Sequence, residues 1–173
     1  MNKGNSAEEE TIRKSAAELL DQLKARGLKI AFAESMTGGL LSGSLTWIAG
    51  ASSVLLGSVV CYTKESKVRL LGVSEELLLD NGAESAEVTR AMAEGISRLF
   101  PDAGIVLAIT GSASQPVNDY KISSPPGKVF ICFGISGQEL FSRDWNLNGS
   151  REEILNQAIL LAFESLVELL ESS

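Results

Sequence analysis

The sequence predicts a three-layer α/β/α sandwich whose sheet is mixed and mostly parallel. Apolar, strand-like runs alternate with segments in which apolar residues recur at helical spacing, as in sheets covered by helices on both faces. The last two strand-like runs form a hairpin, which adds antiparallel pairing to the sheet. With 173 residues and 45% hydrophobic content, the chain is long enough for one domain with a real core. We therefore expect a single domain over residues 1–173, with 1–6 as a loose amino terminus.

The predicted elements begin with a helix that is capped by Ser6 and Glu9 and ends near Arg26. The elements that follow are a strand at 28–33, a helix at 37–48, a strand at 54–62, short helices at 64–71 and 74–79, a helix at 85–99, a strand at 104–109, paired strands at 128–135 and 139–146, and a helix from 150 onward. The run 54–62 is rich in valine and does not alternate, which predicts a central strand. A second capping box, Ser150 with Glu153, starts the last helix.

Composition argues against several classes of function. The net charge is 15 − 22 = −7, so the chain offers no basic stripe for nucleic acid. No apolar run reaches the roughly 18 residues that span a bilayer, and residues 1–10 are too polar for a signal peptide. We therefore expect a cytoplasmic protein without a membrane partner. Cys61 and Cys132 lie in apolar runs and are expected to be free thiols, and no metal site is predicted.

Histidine is absent from the sequence. Ser-His-Asp and Cys-His arrangements need an imidazole, so they are excluded for this chain. If the protein is a hydrolase, its general base must be a lysine, a tyrosine or a carboxylate.

Polar residues follow three of the predicted strands. Ser35 and Thr37 come after the first, Tyr62 and Lys67 after the second, and Thr110 after the third. If these strands are parallel neighbours, the five residues meet at the carboxyl edge of the sheet, where such folds bind ligands. A serine beside a desolvated lysine is a nucleophile that needs no histidine, and Tyr62 is a candidate to relay the proton or orient the lysine.

Each of these signals also has a plainer interpretation. Ser35 at a helix start is most often a cap, Lys67 on a short helix is most often solvated, and Tyr62 at a strand end is most often a packing residue. Arg151 opposes the dipole of the last helix, which indicates either an anionic ligand or an ordinary surface arginine. Residue types alone leave these alternatives open.

A series of short motifs runs through most of the chain. It consists of Ala-Glu-Ser-Met-Thr-Gly-Gly at 33–39, Gly-Ala-Ser at 50–52, Tyr62 with Lys67 five residues on, Leu-Leu-Gly-Val at 70–73, Gly-Ala-Glu-Ser at 82–85 and Thr-Gly at 110–111. In order and spacing, these motifs resemble the CinA C-terminal domain family over roughly residues 7 to 170. That family contains stand-alone bacterial nicotinamide-nucleotide amidohydrolases and the carboxyl half of competence/damage-inducible proteins.

The resemblance implies a function and a set of site residues. Ser35 matches the family's nucleophile, Lys67 its catalytic lysine and Tyr62 the tyrosine beside it. The residues implied to bind substrate are Glu34, Thr37, Gly38, Gly39, Ser52, Thr110, Gly111 and Arg151. The implied reaction is deamidation of nicotinamide mononucleotide through an acyl-enzyme, with backbone N–H groups near 37–39 stabilising the oxyanion. No cofactor is implied, the partner is a small nucleotide, and a homodimer is expected.

The chain also departs from the family pattern. Lys64 stands where the family has an asparagine, and it either lowers the pKa of Lys67 or points into solvent. The loop at 111–126 lacks the glycines that follow the family's third strand. Three hypotheses follow: an active amidohydrolase, a non-catalytic nucleotide-binding or partner-binding module, and a purely structural assembly domain.

Overall fold

A computed structural model describes residues 3–115, 123–136 and 138–172, with side chains from residue 7 onward. The helices are α1 (Lys3–Arg26), α2 (Leu40–Thr46), α3 (Lys64–Leu71), α4 (Glu75–Asn81), α5 (Ala86–Leu99) and α6 (Arg151–Glu171), with a 3₁₀ turn at Ala51–Ser53. The strands are β1 (Ile30–Glu34), β2 (Leu55–Val60), β3 (Ile105–Gly111), β4 (Lys128–Ile135) and β5 (Phe141–Asn146).

The five strands form one mixed sheet in the order β2-β1-β3-β4-β5. β1 pairs in parallel with both β2 and β3, whereas β3–β4 and β4–β5 are antiparallel. The predicted fold class is confirmed. The prediction that the second strand is central was wrong, because β2 lies at an edge and its residues are only half-buried or exposed. A valine-rich run without alternation is therefore also compatible with an edge strand.

Helices cover both faces of the sheet, and each face has its own apolar core. On one face, Phe32 and Leu107 pack with Leu19 of α1, Leu41 of α2 and Phe163 of α6. On the other face, Ala33 and Ala108 pack with residues of α3, α4 and α5, including Leu71, Leu78 and Met92. Within the described ranges, no helix is both long enough and apolar enough to cross a membrane.

Helix ends differ from the predictions where turn geometry intervenes. α1 begins at Lys3, so Ser6 lies inside the helix rather than at its cap, and the residues predicted to be loose are helical from position 3. α2 begins only at Leu40, because Gly38 and Gly39 adopt positive φ angles of 59° and 100° that break helical geometry. The capping box of Ser150 with Glu153 is confirmed.

Candidate active site

Ser35 lies in the tight turn between β1 and α2. Its N–H donates to the Ile109 carbonyl at 3.1 Å, and its own carbonyl accepts from the N–H of Gly38 at 3.1 Å, so its backbone is held on both sides. Only 8% of the residue is exposed. The Ser35 hydroxyl makes no hydrogen bond to another residue in the described part of the chain. Ser35 is thus not a cap residue: its backbone is held in place, and its hydroxyl has no partner in the described part of the chain.

The preceding residue, Glu34, is fully buried and points to the α2 side of the sheet. Its Oε2 accepts from the hydroxyl of Thr37 at 2.7 Å and from the N–H groups of Gly39 and Leu41, both at 3.0 Å. Its Oε1 accepts from the Ser42 N–H at 3.0 Å, the Ser42 hydroxyl at 2.6 Å and the Ser58 hydroxyl at 2.9 Å.

These six donors change the role of Glu34. Its two oxygens are occupied, and no part of the side chain reaches the surface. Glu34 and Thr37 were expected to bind substrate, but their side chains are not available for it. They bind each other, and together they fix the start of α2 against the end of β1.

Three residues form a row across the carboxyl ends of the parallel strands. Glu34 pairs with Ile109 on one side and with Val60 on the other, so Ser35 stands next to Thr110 and Cys61. Since side chains alternate along a strand, and Glu34 faces α2, Ser35 faces α5. Cys61 belongs to the core on that face, and Thr110 contacts Thr89 of α5. The row Cys61–Ser35–Thr110 thus lines the sheet beneath α3 and α5.

Lys67 projects from α3 into this layer and is only 1% exposed. Its Nζ lies 3.3 Å from the sulfur of Met92 on α5, a weak acceptor and its only hydrogen-bonding contact among the described residues. Burial lowers the pKa of Lys67 to about 8, and this outweighs the opposing effects of Cys61 and Glu84. Lys67 and Ser35 share one face without being hydrogen-bonded to each other.

The two readings of Lys64 are now separated. Lys64 is exposed and lines a surface groove between α3 and α4 together with Arg69 and Leu79. The groups that shift the pKa of Lys67 do not include it. Lys64 points into solvent, and the low pKa of Lys67 comes from burial.

Tyr62 and Arg151 meet at the rim of this edge. Arg151 donates to the Tyr62 hydroxyl at 3.1 Å and to the Ser114 hydroxyl at 3.0 Å. Its guanidinium therefore connects the end of β2, the segment after β3 and the start of α6. Both partners are neutral, and Arg151 forms no ion pair with a described carboxylate. Tyr62 itself is 58% exposed, so it lies at the entrance rather than beside the buried amine.

The backbone donors of the turn differ from those expected. The N–H groups of Gly38 and Gly39 are engaged by Ser35 and Glu34, and those of Leu41 and Ser42 also go to Glu34. The N–H groups of Met36 and Thr37 have no acceptor within the described ranges. Of the donors predicted at 37–39, the N–H of Thr37 thus stays without an acceptor in the described part of the chain, as does that of Met36, whereas Ser35 and Glu34 accept from Gly38 and Gly39.

Two further predicted residues have different roles. Ser52 is exposed in the turn before β2, whereas the site lies beyond the other end of that strand, about 20 Å away for six extended residues. Ser52 is therefore not part of the site. Gly111 has φ +148°, and a Cβ there would lie 2.4 Å from the Lys128 carbonyl oxygen. This glycine is required by the close approach of β4.

The segment after β3 is anchored at both ends. Ser112 exchanges backbone hydrogen bonds with Lys128 and Gly127, and Ser123 donates its N–H to the Glu84 carboxylate at 2.9 Å. The Ser123 hydroxyl also donates to that carboxylate. Residues 116–122 of the predicted loop lie outside the described residues. Among the described residues, no group of three or more Cys, Asp or Glu side chains could hold a metal ion, and both cysteines are free and buried.

Sequence reasoning missed the residues that support the site from elsewhere. Ser58 completes the shell of Glu34, Met92 contacts the Lys67 amine, and Thr89 contacts Thr110. The one available signal was a threonine, Thr89, on the otherwise apolar face of α5 with Val88 and Met92.

Comparison with known proteins places the chain in a family. The sequence-family model that describes the CinA C-terminal domain matches residues 12–170 of this chain. The chain belongs to the CinA C-terminal domain family.

The CinA relatives include longer proteins and solved structures. Proteins named competence-damage inducible from Bacillus cereus and Bacillus anthracis are 37% identical over 164 residues and 38% identical over 149 residues, covering 95% and 86% of this chain. The chain spans less than half of these relatives, 38% and 35% of their lengths.

Solved structures match nearly end to end. A competence-damaged protein (CinA) superfamily protein from Klebsiella pneumoniae superposes with a TM-score of 0.86 at 28% identity, covering 94% of this chain and 99% of that one. A competence/damage-inducible protein from Agrobacterium tumefaciens gives a TM-score of 0.82 at 31% identity, covering 92% and 95%. The CinA fold therefore accounts for the whole sheet that carries Ser35 and Thr110 at its carboxyl edge and for the helix α3 that carries Lys67.

Proposed function

We propose that this chain is a serine amidohydrolase that converts nicotinamide mononucleotide to nicotinic acid mononucleotide and ammonia. The observation that carries the proposal is the pairing of a buried lysine, whose pKa is lowered to about 8, with a serine hydroxyl that has no partner on the same face of the sheet. A lysine of this kind is partly neutral near pH 8 and can accept a proton. The family resemblance supplies the substrate.

In the first half of the reaction, Ser35 attacks the carboxamide carbon and neutral Lys67 takes the hydroxyl proton. The negative oxygen of the tetrahedral intermediate accepts hydrogen bonds from the N–H groups of Met36 and Thr37. Lys67 then passes its proton to the amide nitrogen, the carbon–nitrogen bond breaks, and ammonia leaves an ester on Ser35.

In the second half, a water molecule attacks this ester and gives its proton to Lys67. The proton moves to the Ser35 oxygen as the ester bond breaks, which releases the acid and restores the enzyme. No cofactor takes part. The Nζ of Lys67 must turn from Met92 toward Ser35 when substrate binds, since the two are not hydrogen-bonded in the free protein.

Arg151 is the proposed phosphate ligand. It is exposed and forms no ion pair with a described carboxylate, and its partners Tyr62 and Ser114 are neutral hydroxyls. A planar guanidinium suits two phosphate oxygens at once. Tyr62 orients this arginine at the entrance, and its link to Lys67 runs through bound substrate rather than direct contact.

The test measures ammonia release from nicotinamide mononucleotide by purified protein. We expect the wild type to turn over and Ser35→Ala to lose about 10³-fold or more in kcat. Ser53→Ala, an exposed serine before β2, is the matched control and should retain full turnover. Equal rates of ammonia release by the wild type and Ser35→Ala would contradict the assignment of Ser35 as the nucleophile.

A second candidate is a non-catalytic nucleotide-binding or partner-binding module. It is favoured by the absence of a hydrogen bond between Ser35 and Lys67 and by the altered residues at 111–126. Calorimetry with a panel of nucleotides separates the two candidates, because binding without ammonia release supports the module.

We also propose a cytoplasmic homodimer. The two edge strands differ in a way that favours β2 as the contact: β5 carries Arg143 and Asp144, whereas β2 has no charged residue or proline along its outer edge. Light scattering checks this, since a mass of one 18.4 kDa chain counts against a dimer.

A further inference from the structure

Two buried hydroxyl groups form a chain beneath the carboxyl end of β3. The Thr89 hydroxyl on α5 donates to the Ser85 carbonyl at 2.6 Å, and the hydroxyl oxygens of Thr89 and Thr110 are 2.7 Å apart. Neither threonine has any exposed surface. Thr110 belongs to the row that contains Ser35, but no role has been given to Thr89.

The direction of donation along these two hydrogen bonds follows from the number of protons that the hydroxyl groups carry. A hydroxyl has one proton to donate, and a carbonyl oxygen can only accept. An oxygen–oxygen distance of 2.6 Å requires the Thr89 proton to lie between Thr89 and the Ser85 carbonyl. The short contact between the two threonines must therefore use the proton of Thr110. Once Thr110 has donated to Thr89, its oxygen has only acceptor capacity left.

This acceptor stands beside the reacting groups. Thr110 neighbours Ser35 on the adjacent strand, and parallel strands lie about 4.8 Å apart. The Lys67 amine contacts Met92, which follows Thr89 by one turn on the same side of α5. A group bonded to Ser35 and facing Lys67 therefore also faces Thr110.

We propose that the Thr110 oxygen accepts an N–H of the scissile carboxamide, and that Thr89 is the positioning residue that prevents Thr110 from donating. The inference rests on the proposed function. A carboxamide presents a donor where this acceptor lies. The carboxylate product presents a second acceptor oxygen at the same place, so it binds less well and leaves. Thr89 and Thr110 together thus favour binding of the amide substrate over the acid product.

The test compares binding of nicotinamide mononucleotide and nicotinic acid mononucleotide by calorimetry. Both are titrated into Ser35→Ala protein with and without Thr89→Val, so that no turnover occurs. We expect Thr89→Val to lower the ratio of the acid's Kd to the amide's Kd about tenfold, because the freed Thr110 hydroxyl can rotate and donate to the carboxylate. Thr89→Ser keeps the hydroxyl and should restore the original ratio.

Thr11→Val is the matched control, because Thr11 makes the same hydrogen bond to a carbonyl four residues earlier on the exposed side of α1. It should leave the ratio unchanged. If Thr89→Val does not fold, Thr89→Ala removes the same hydroxyl with a smaller side chain.

The outcomes separate this inference from the proposed function. An unchanged ratio in folded Thr89→Val or Thr89→Ala protein overturns the inference alone, even where wild-type protein releases ammonia. A lowered ratio without ammonia release by the wild type supports the inference and overturns catalysis. If neither nucleotide binds and the wild type releases no ammonia, both the inference and the proposed function are overturned.

Discussion

Glu34 and Ser35 are neighbours in the chain, yet their surroundings are opposite. Glu34 faces α2, where six donors from Thr37, Gly39, Leu41, Ser42 and Ser58 surround its two oxygens. Ser35 faces α5, where its hydroxyl has no partner among the described residues and the amine of Lys67 on the same face has only a thioether as hydrogen-bonding partner. One side of the turn is saturated with hydrogen bonds, and the other is left short of them.

The two residues therefore have different roles: Glu34 supports the turn, and Ser35 carries the proposed chemistry. An unsatisfied buried polar group costs about 1–3 kcal/mol, so a stable fold tolerates few of them. In the described part of the chain the one fully buried side-chain oxygen or nitrogen without a partner is the Ser124 hydroxyl. The side of Ser35 instead holds a hydroxyl on a residue that keeps 8% exposure and a lysine amine with one weak acceptor, both of which can still bind a substrate. The saturated side holds the backbone of the turn, including that of Ser35, in place. Substitutions on the two sides should therefore change stability in opposite directions, although both lower turnover.

The largest expected effect comes from Lys67→Met on the unsatisfied side. Methionine fills the same space without a charge, so turnover should fall about 10³-fold or more as the general base is lost. The free energy of unfolding at pH 7 should rise by about 3 kcal/mol, because burial of the Lys67 ammonium no longer opposes folding. Ammonia release and urea unfolding measure the two quantities on one sample.

Lys64→Met is the control for this variant. It removes the same charge from the same helix at an exposed position, and it should change stability by less than about 0.5 kcal/mol. Retained turnover in Lys67→Met would exclude Lys67 as the base. Lower stability at pH 7 would contradict a penalty from its burial.

On the saturated side, Glu34→Gln should cost about 3 kcal/mol of stability. The amide nitrogen of glutamine would face donors rather than acceptors, and the negative charge that orders the start of α2 would be gone. Turnover should fall as well, because the Ser35 turn loosens. Urea unfolding measures the loss, and Glu10→Gln on the exposed side of α1 is the control. A Glu34→Gln protein of native stability would refute the role of this carboxylate.

Local signals predicted much of the fold and the turn that carries Ser35. The α3 boundaries, the capping box of Ser150 with Glu153 and the turn at Ser35 each depend on residues within a few positions of one another. The position of Lys67 followed from the order of the strands, but its burial did not. On a short helix it is an ordinary surface lysine until α5 packs over it.

The errors were of a different kind, because they depend on partners far along the chain. Glu34 follows an apolar strand and was expected to face a substrate, but one of its six donors comes from Ser58, 24 residues away. Ser52 belongs to a motif of the family, yet the parallel course of β2 puts it at the opposite edge of the sheet. Thr89 lies within a helix, and its role follows only from its contact with Thr110, which the sequence does not show.

The pH dependence of turnover sharpens the comparison on the unsatisfied side. The pKa of Lys67 is about 8, and the protonated amine cannot accept a proton, so kcat/KM should fall about tenfold for each pH unit below 8. At pH 6 the loss is about 100-fold. Because the chain has no histidine, no imidazole titrates in this range. A pH profile of ammonia release checks this, and a flat profile from pH 6 to 8 would contradict the role of Lys67.

Stability should change in a different pH window. The pKa of Lys67 is about 8 in the folded protein and near 10.5 when unfolded, so between these values only the unfolded chain holds the proton. The contribution of Lys67 to stability is therefore greatest above 10.5 and is lost as pH falls to 8. Below 8 it is constant, so the loss of turnover there does not reflect unfolding through this group.

The smallest expected effect comes from Ser58→Ala, which removes one of the six donors to Glu34. Five donors remain, so stability should fall by only about 1 kcal/mol, and turnover should stay close to wild type because Ser58 faces away from Ser35. Ser142→Ala, on the opposite edge strand and exposed, is the matched control for urea unfolding. A loss as large as that of Glu34→Gln would mean that the donors act as one network, in which the carboxylate tolerates no missing partner.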